Sequence, residues 1–277
     1  MSGPDIWIDR AEASWLDDLY ANAEALYHKT SLPSHDHSHH LRVWNLCKVL
    51  LREIAAFNPG INESLVEGVL IAAFFHDLGM VYSTREDHGH LGAELCLKWF
   101  KDRDRKRPER FDEVLRAIEL HDRKDEQIQE SFQKETPPEI LTILAVADDL
   151  EALGIIGIYR YAEIYLKRGI SLEELGERIL KNASNRFENI SRACLPCGRI
   201  REYSHRQYDE LCQFFEAYNE QLKTVIRADR ILSGPLGVIN YIRKPGRDKS
   251  ELEGAGKEVN DYFRKLKHEL DQARLQT

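Results

Sequence analysis

The chain has 277 residues, 42% of them hydrophobic and 31% charged, with 39 lysines and arginines against 47 aspartates and glutamates, for a formal net charge of −8. That composition supplies a sizeable core and excludes intrinsic disorder and fibrous repeats, and the acidic balance disfavours a surface built to neutralise many nucleic-acid phosphates. The longest uninterrupted apolar run, Val69–Phe75, falls far short of the ~20 residues that cross a bilayer, and the amino terminus MSGPDIWIDRAE has neither a basic n-region nor an apolar h-region, so a cytoplasmic protein without membrane contact is expected.

The periodicity is helical nearly throughout, with no convincing alternating strand, and predicts an all-α chain. In chain order the helices are expected at about Asp9–Lys29, His39–Phe57, Asn62–Leu78, His90–Lys101, Pro108–His121, Pro138–Lys167, Ser171–Arg192, His205–Asp229 and Glu251–Ala273. Asn58-Pro59-Gly60 stops the second, Gly79 follows the third, Pro137-Pro138 opens the sixth and Gly169 closes it. The mixed-charge run KDRDRKRPER, residues 101–110, reads as a solvated turn between helices, with a phosphate or partner patch as the alternative. The stretch Ser233–Arg247 carries Gly234, Pro235, Gly237, Pro245 and Gly246 and reads as a loop whose apolar middle packs on the body. The expected organisation is therefore a helical body over 1–232 and a dependent appendage over 233–277. The apolar stripe of the last helix, Val259, Tyr262, Phe263, Leu266 and Leu270, packs either on the body or on a second copy in a homodimer.

Five cysteines, an odd and scattered set, fit a reducing compartment rather than a disulfide framework. Cys47, Cys96 and Cys212 read as small core residues. Cys194-Leu-Pro-Cys197 has the spacing of half a zinc knuckle without a second ligand pair, so its role is expected to be structural or incidental.

The chemistry lies in where polar residues interrupt apolar stripes. His39 continues Val43, Leu46 and Leu50 at helical spacing; His76 continues Leu65, Val69 and Ala72; His121 follows Val114 and Ile118; Asp148 lies with Leu141, Leu144 and Ile155. Four helices thus present an imidazole or carboxylate inward. A buried aspartate is costly unless paired or bound to metal, and several imidazoles beside carboxylates suit a divalent cation, so a metal site within a helical bundle is expected. Asp77 follows His76 at a helix end, just before Gly79, where both side chains can reach one centre.

These residues resemble the HD superfamily of metal-dependent phosphohydrolases, whose pattern is H, then HD, then D on an all-helical core. His39-His-Leu-Arg-Val43 matches HxxRV, and His76-Asp-Leu-Gly79 matches HD(I/L)G. The segment from Ala147 to Arg160, ADDLEALGIIGIYR, is similar to the ADRLDAIGAIGIAR segment of the small bacterial members. The resemblance covers roughly residues 34–166, places Asp148 on the last metal ligand and puts Glu151 at a second acidic position. His88-Gly-His-Leu-Gly-Ala93 and His121-Asp-Arg-Lys124 resemble the two extra places of metal-pair branches, which implies a second ion on His88 and His121 with Asp77 bridging.

The implied protein is an HD-domain helical bundle with additional carboxy-terminal helices. It would bind one or two divalent transition metal ions (Mn, Fe, Co, Ni or Zn) and use a metal-activated water to hydrolyse a phosphoester or nucleotide pyrophosphate. Asp77 and Glu151 are the catalytic expectations, with Asp149 a further orienting candidate; otherwise Asp149 and Glu151 are ordinary surface or capping carboxylates. Met80 stands where many members carry a basic residue, so phosphate contacts are expected from Arg42, Arg85, Arg123 or Lys124. The substrate is then a small phosphorylated molecule, nucleotides included. Two alternatives remain: the superfamily's minority branch of iron-pair oxygenases, and a non-catalytic signalling module. Intact His39, His76, Asp77 and Asp148 count against the second.

Overall fold

The computed structural model describes residues 3–28, 30, 32, 34–84, 88–122, 132, 137–244 and 254–275. Among them are helices α1 (Pro4–Tyr27), α2 (His37–Ala55), α3 (Glu63–Phe75), α4 (His88–Asp102), α5 (Phe111–Leu120), α6 (Ile140–Glu151), α7 (Gly154–Lys167), α8 (Leu172–Ala193), α9 (Gly198–Thr224), α10 (Gly234–Arg243) and α11 (Lys257–Leu275), and no strand. The chain divides into two compact units, one of residues 1–150 and 188–202, the other of 151–187 and 203–277.

The first unit is organised around α3, which packs against α1, α2 and α5. Ten of its thirteen residues are buried, Leu65, Val66 and the run Gly68–Phe75 among them. By length and composition Glu63–Val81 would suffice to cross a membrane, but most of it is buried in the protein, as a core helix is. Asp36 caps α2 by accepting from the Ser38 amide at 3.0 Å, and Asn62 caps α3 by accepting from Leu65 at 3.0 Å. Those are the polar N-cap residues that the exposed first-turn amides require.

The charge run over 101–110 is largely exposed, as expected, but its arginines also cover aromatic faces. Arg105 lies 4.1 Å over the Trp15 ring and pairs with Asp18 and the Ser14 carbonyl, while Arg103 lies 4.7 Å over Trp99. Cation–π contact of this kind turns a soluble loop into a clasp between α1 and α4.

In the second unit α7, α10 and α11 pack on one another. The Tyr161 hydroxyl donates to Asn182 Oδ1 at 2.8 Å, joining α7 to α8. Phe187 of α8 stacks on Tyr208 of α9, with centroids 4.3 Å apart.

Three expectations about elements are corrected. The single helix expected over Pro138–Lys167 is two, because the backbone leaves helical geometry at Leu153 and Gly154 adopts φ +65°, a region that disfavours any residue with a Cβ. Ile155 therefore belongs to α7 and not to the Asp148 stripe. The stretch expected as a loop from Ser233 forms α10, whose Pro235 stands in the first turn, where a missing amide costs nothing. Its Leu236, Val238, Ile239 and Tyr241 are buried, and Asn240 donates to the carbonyls of Ala228 and Ile231 at 2.7 and 2.9 Å. Finally, α9 starts at Gly198, well before His205, because the Glu53 carboxylate on α2 accepts from the amides of Arg199 and Ile200 at 2.9 and 3.2 Å. That cap comes from a residue distant in sequence.

The five cysteines are free thiols, with Cys212 only partly buried and the rest buried. Cys194 and Cys197 sit in the turn between α8 and α9, hydrogen-bonded to each other, and burial with that contact pushes the Cys194 thiol far up.

Candidate metal centre

Helix geometry delivers six side chains of the first unit to one place. His39 comes from the first turn of α2, His76 from the C-cap of α3 and Asp77 from the residue after it. His88 opens α4, His121 is the C-cap of α5, and Asp148 lies in the last turn of α6. All six are buried, none more than 4% exposed.

They form two groups that share Asp77. The ligand atoms of His39, His76, Asp77 and Asp148 lie within 4.8 Å of one another, and so do those of Asp77, His88 and His121. In the first group His39 Nε2 is 3.2 Å from His76 Nε2 and 3.2 Å from Asp77 Oδ2, and His76 Nε2 is 3.5 Å from the same oxygen. Asp148 Oδ1 stands 4.0 Å from both imidazoles. In the second group Asp77 Oδ1 is 3.1 Å from His121 Nε2 and 3.3 Å from His88 Nε2, and the two imidazole nitrogens are 3.3 Å apart. The two oxygens of one carboxylate therefore serve different histidine sets.

The ring orientations are fixed from behind. His76 Nδ1 lies 2.9 Å from the Ala73 carbonyl and His121 Nδ1 2.7 Å from the Ile118 carbonyl, in each case the residue three earlier at a helix end. A carbonyl can only accept, so in both rings the Nδ1–H is spent on the backbone and Nε2 is turned towards Asp77; His76, kept neutral by burial, presents a lone pair there. Acceptor facing acceptor at such distances repels unless a cation lies between them. Two donors held by one ion at ~2.1 Å sit about 3.0–3.4 Å apart, close to most of the spacings found here. The donor set, imidazole with carboxylate, fits a divalent ion in the first group and a second in the other.

Burial pushes the His76 imidazole down to about 3, only partly opposed by the Asp77 carboxylate. For Asp77 burial works upward, but the facing His76 and the contacts from His121, His39 and His88 outweigh it and hold the carboxyl well below its ordinary range. A neutral His76 beside an ionised Asp77 is the pair of protonation states a cation requires of such ligands.

The surroundings lock the turn that carries His76 and Asp77. The Tyr27 hydroxyl of α1 donates to the Asp77 carbonyl at 2.7 Å, and a Cβ on Gly79 would stand 2.0 Å from the His88 carbonyl oxygen. Only glycine lets the start of α4 approach so closely, which brings His88 into reach. His40, adjacent to His39, is a core residue with Nδ1 3.1 Å from the Ala73 carbonyl, and burial, with His76 and His39 beside it, lowers its pKa well below the usual value. Sequence reasoning passed over Tyr27 and His40. Tyr27 was signalled: it ends the α1 stripe Ile8, Ala11, Trp15, Leu19 and Ala23.

Of the remaining expected site residues, the described ones lie outside the two groups. Glu151 is buried and ion-paired with Arg160, both in the second unit. Asp149 is wholly buried, so neither it nor Glu151 is a surface carboxylate. Arg42 is buried as well and donates from Nη1 to Ser38 Oγ at 2.7 Å. Arg85, Arg123 and Lys124 lie outside the described residues. His90, next to the buried His88, is exposed and faces Glu94 and Glu119 at 3.5 and 3.3 Å.

Compared with known proteins, residues 37–153 match the family model described as HD domain. No curated protein and no solved structure matches the chain. The matched span contains all six residues of the two groups.

Proposed function

From the premise that this chain carries an HD domain over residues 37–153, we propose that it is a metal-dependent phosphohydrolase acting on a small phosphorylated substrate, a phosphoester or nucleotide pyrophosphate. The observation that carries the reading is the split allegiance of Asp77, with Oδ2 in the group of His39, His76 and Asp148 and Oδ1 in the group of His88 and His121. His39, His76, Asp77 and Asp148 would hold one divalent cation, and Asp77, His88 and His121 would hold a second.

When bound, such cations would acidify water and polarise a phosphoryl oxygen. The chain's own part is positional. His76 and His121 hold Nε2 inward through Nδ1 bonds to the Ala73 and Ile118 carbonyls, and Asp77 stays ionised to offset cationic charge. Burial of all six groups keeps bulk water and its screening away, which strengthens every charge interaction within. Glu151, whose oxygen already accepts from Arg160, is better suited to fixing the end of α6 than to carrying a proton. Phosphoryl transfer asks mainly for positioning and charge neutralisation, and no covalent nucleophile is needed.

The test reconstitutes the metal-stripped protein separately with Mn, Fe, Co, Ni and Zn and screens nucleotides, cyclic nucleotides, sugar phosphates and generic phosphate esters. Turnover that persists without dioxygen and vanishes in Asp77→Ala supports the proposal. Turnover strictly dependent on dioxygen would move the same donor set to an iron-pair oxygenase, and metal binding without turnover of any ester would leave a non-catalytic module.

A further inference from the structure

The second unit holds a cavity of about 330 Å³ that belongs to none of this, framed by the end of α7 and one face of α8. Arg178, Lys181, Asn182 and Asn185 recur at i, i+3, i+4 and i+7, the spacing that usually spells an apolar stripe, and here every member is a donor-bearing polar residue. The genuine apolar stripe of α8, with Leu175, Ile179 and Ala183, is buried elsewhere on the helix. So α8 carries two faces, one for the core and one for the cavity.

The opposite wall comes from the end of α7. Gly169, at φ +81°, lets the chain turn so that its amide bonds the Leu166 carbonyl at 3.0 Å and the Ile170 amide bonds the Tyr165 carbonyl at 3.0 Å. This Schellman arrangement satisfies the last carbonyls of α7, so the negative end of the helix is quenched by its own amides. Arg168 adds a third cation, and Tyr165 with Ile170 supplies an apolar wall.

No aspartate or glutamate is among the lining residues, and the acidic partner of the stripe, Glu174 with Oε2 3.4 Å from Arg178 Nη2, belongs to an exposed pair that a multivalent anion can displace. Asn182 Oδ1 accepts twice, from the Tyr161 hydroxyl at 2.8 Å and from Arg186 Nε at 3.2 Å. With the oxygen committed, the NH₂ donor is what Asn182 has left to offer. Cations, amide donors and a short apolar wall together select a multivalent anion with a small organic part.

We propose that this cavity is a second binding site, separate from the metal groups, that takes a small polyphosphate-bearing molecule such as a nucleoside di- or triphosphate. Its volume lies at the lower end of small-ligand pockets, roughly 300–1,000 Å³. An extended nucleic acid is disfavoured, because Glu173, Glu174 and Glu177 on the first turns of α8 stand beside the basic stripe and interrupt any basic track. The site stands whether or not the metal groups hydrolyse anything.

Inorganic pyrophosphate is the first probe, titrated calorimetrically into the full chain after metal is stripped. One equivalent should bind, and Arg178→Gln and Lys181→Gln should each weaken binding at least about ten-fold, as expected for loss of a charge-assisted hydrogen bond. Both positions are exposed, and unchanged helicity and Tm in the variants check that nothing else moved. Asp77→Ala should bind pyrophosphate as wild type does. A nucleoside triphosphate should bind more tightly than pyrophosphate, by way of Tyr165 and Ile170. Absence of binding to the stripped wild type, or binding lost in Asp77→Ala but kept in the Arg178→Gln/Lys181→Gln double variant, overturns the proposal. A single-stranded oligonucleotide that outcompetes the triphosphate at the same residues overturns the assignment to a small ligand.

Discussion

Asp77 Oδ1 and His121 Nε2 meet at 3.1 Å across 44 residues of sequence, while the other oxygen of the same carboxylate lies 3.2 Å from His39. One side chain thereby joins the ends of α3 and α5 to the start of α2. Its loss should be felt on both sides. Asp77→Ala should bind no transition metal, whereas His121→Ala and His88→Ala should each keep one ion of two. Metal content per chain by mass spectrometry decides this, and equal stoichiometry in all three variants and wild type would refute the shared role of Asp77.

Gly79→Ala tests the close approach that delivers His88. A methyl group at this position has the His88 carbonyl oxygen only 2.0 Å away, so the start of α4 must retreat. Overpacking of this kind costs ~1–3 kcal/mol, and the variant should bind its second ion more weakly than its first. Sequential metal titrations that superimpose on wild type would show that the start of α4 does not set the second group.

Glu151 and Arg160 are a buried pair, 4% and 6% exposed. Removing one partner of such a pair strands a charge and costs ~3–5 kcal/mol, while replacing both by apolar groups of similar size is often neutral. Arg160→Met alone should therefore lower stability far more than the Glu151→Leu/Arg160→Met double variant. Denaturant midpoints for the single and double variants provide the comparison; a double variant no better than the single would show that the pair is not self-contained.

The metal-free protein should be acid-labile. His76 has an ordinary pKa of 6.5 and a folded value of about 3, so between those limits the unfolded chain takes up a proton that the folded one refuses. Stability from this group is complete above pH 6.5 and is lost as pH falls towards 3, at about 1.4 kcal/mol per unit. Asp77, held below 3.8 when folded, adds a loss of the same sign further down. Urea unfolding in chelator at pH 7, 5.5 and 4.5 should show a steady decline, steeper than in His76→Gln. A flat profile would mean that the imidazole is not buried neutral.

Several features of the fold and centre could be read from the letters because they depend on local periodicity. Polar residues placed at helical spacing on apolar stripes announced His39, His76, His121 and Asp148, and Asn62 marked the start of α3 through chemistry within three residues of itself. Local rules failed where a partner came from afar. Glu53 starts α9 early from another helix, and the mixed charges of 101–110 gave no sign that Arg105 would lie over Trp15. The Gly-Pro run at 234–237 spelled a loop although burial against α7 and α11 makes it a helix.

The sequence by itself determined an all-helical chain with inward-facing imidazoles and carboxylates, since which face of a helix a residue occupies follows from its spacing alone. Only the tertiary structure decided which oxygen of Asp77 faces which histidine set, that Glu151 is tied to Arg160, and that the polar stripe of α8 lines an open pocket with the end of α7. The reason is physical: a stripe fixes direction, but distance and partnership depend on how rigid helices pack, and that packing is set by the whole core at once.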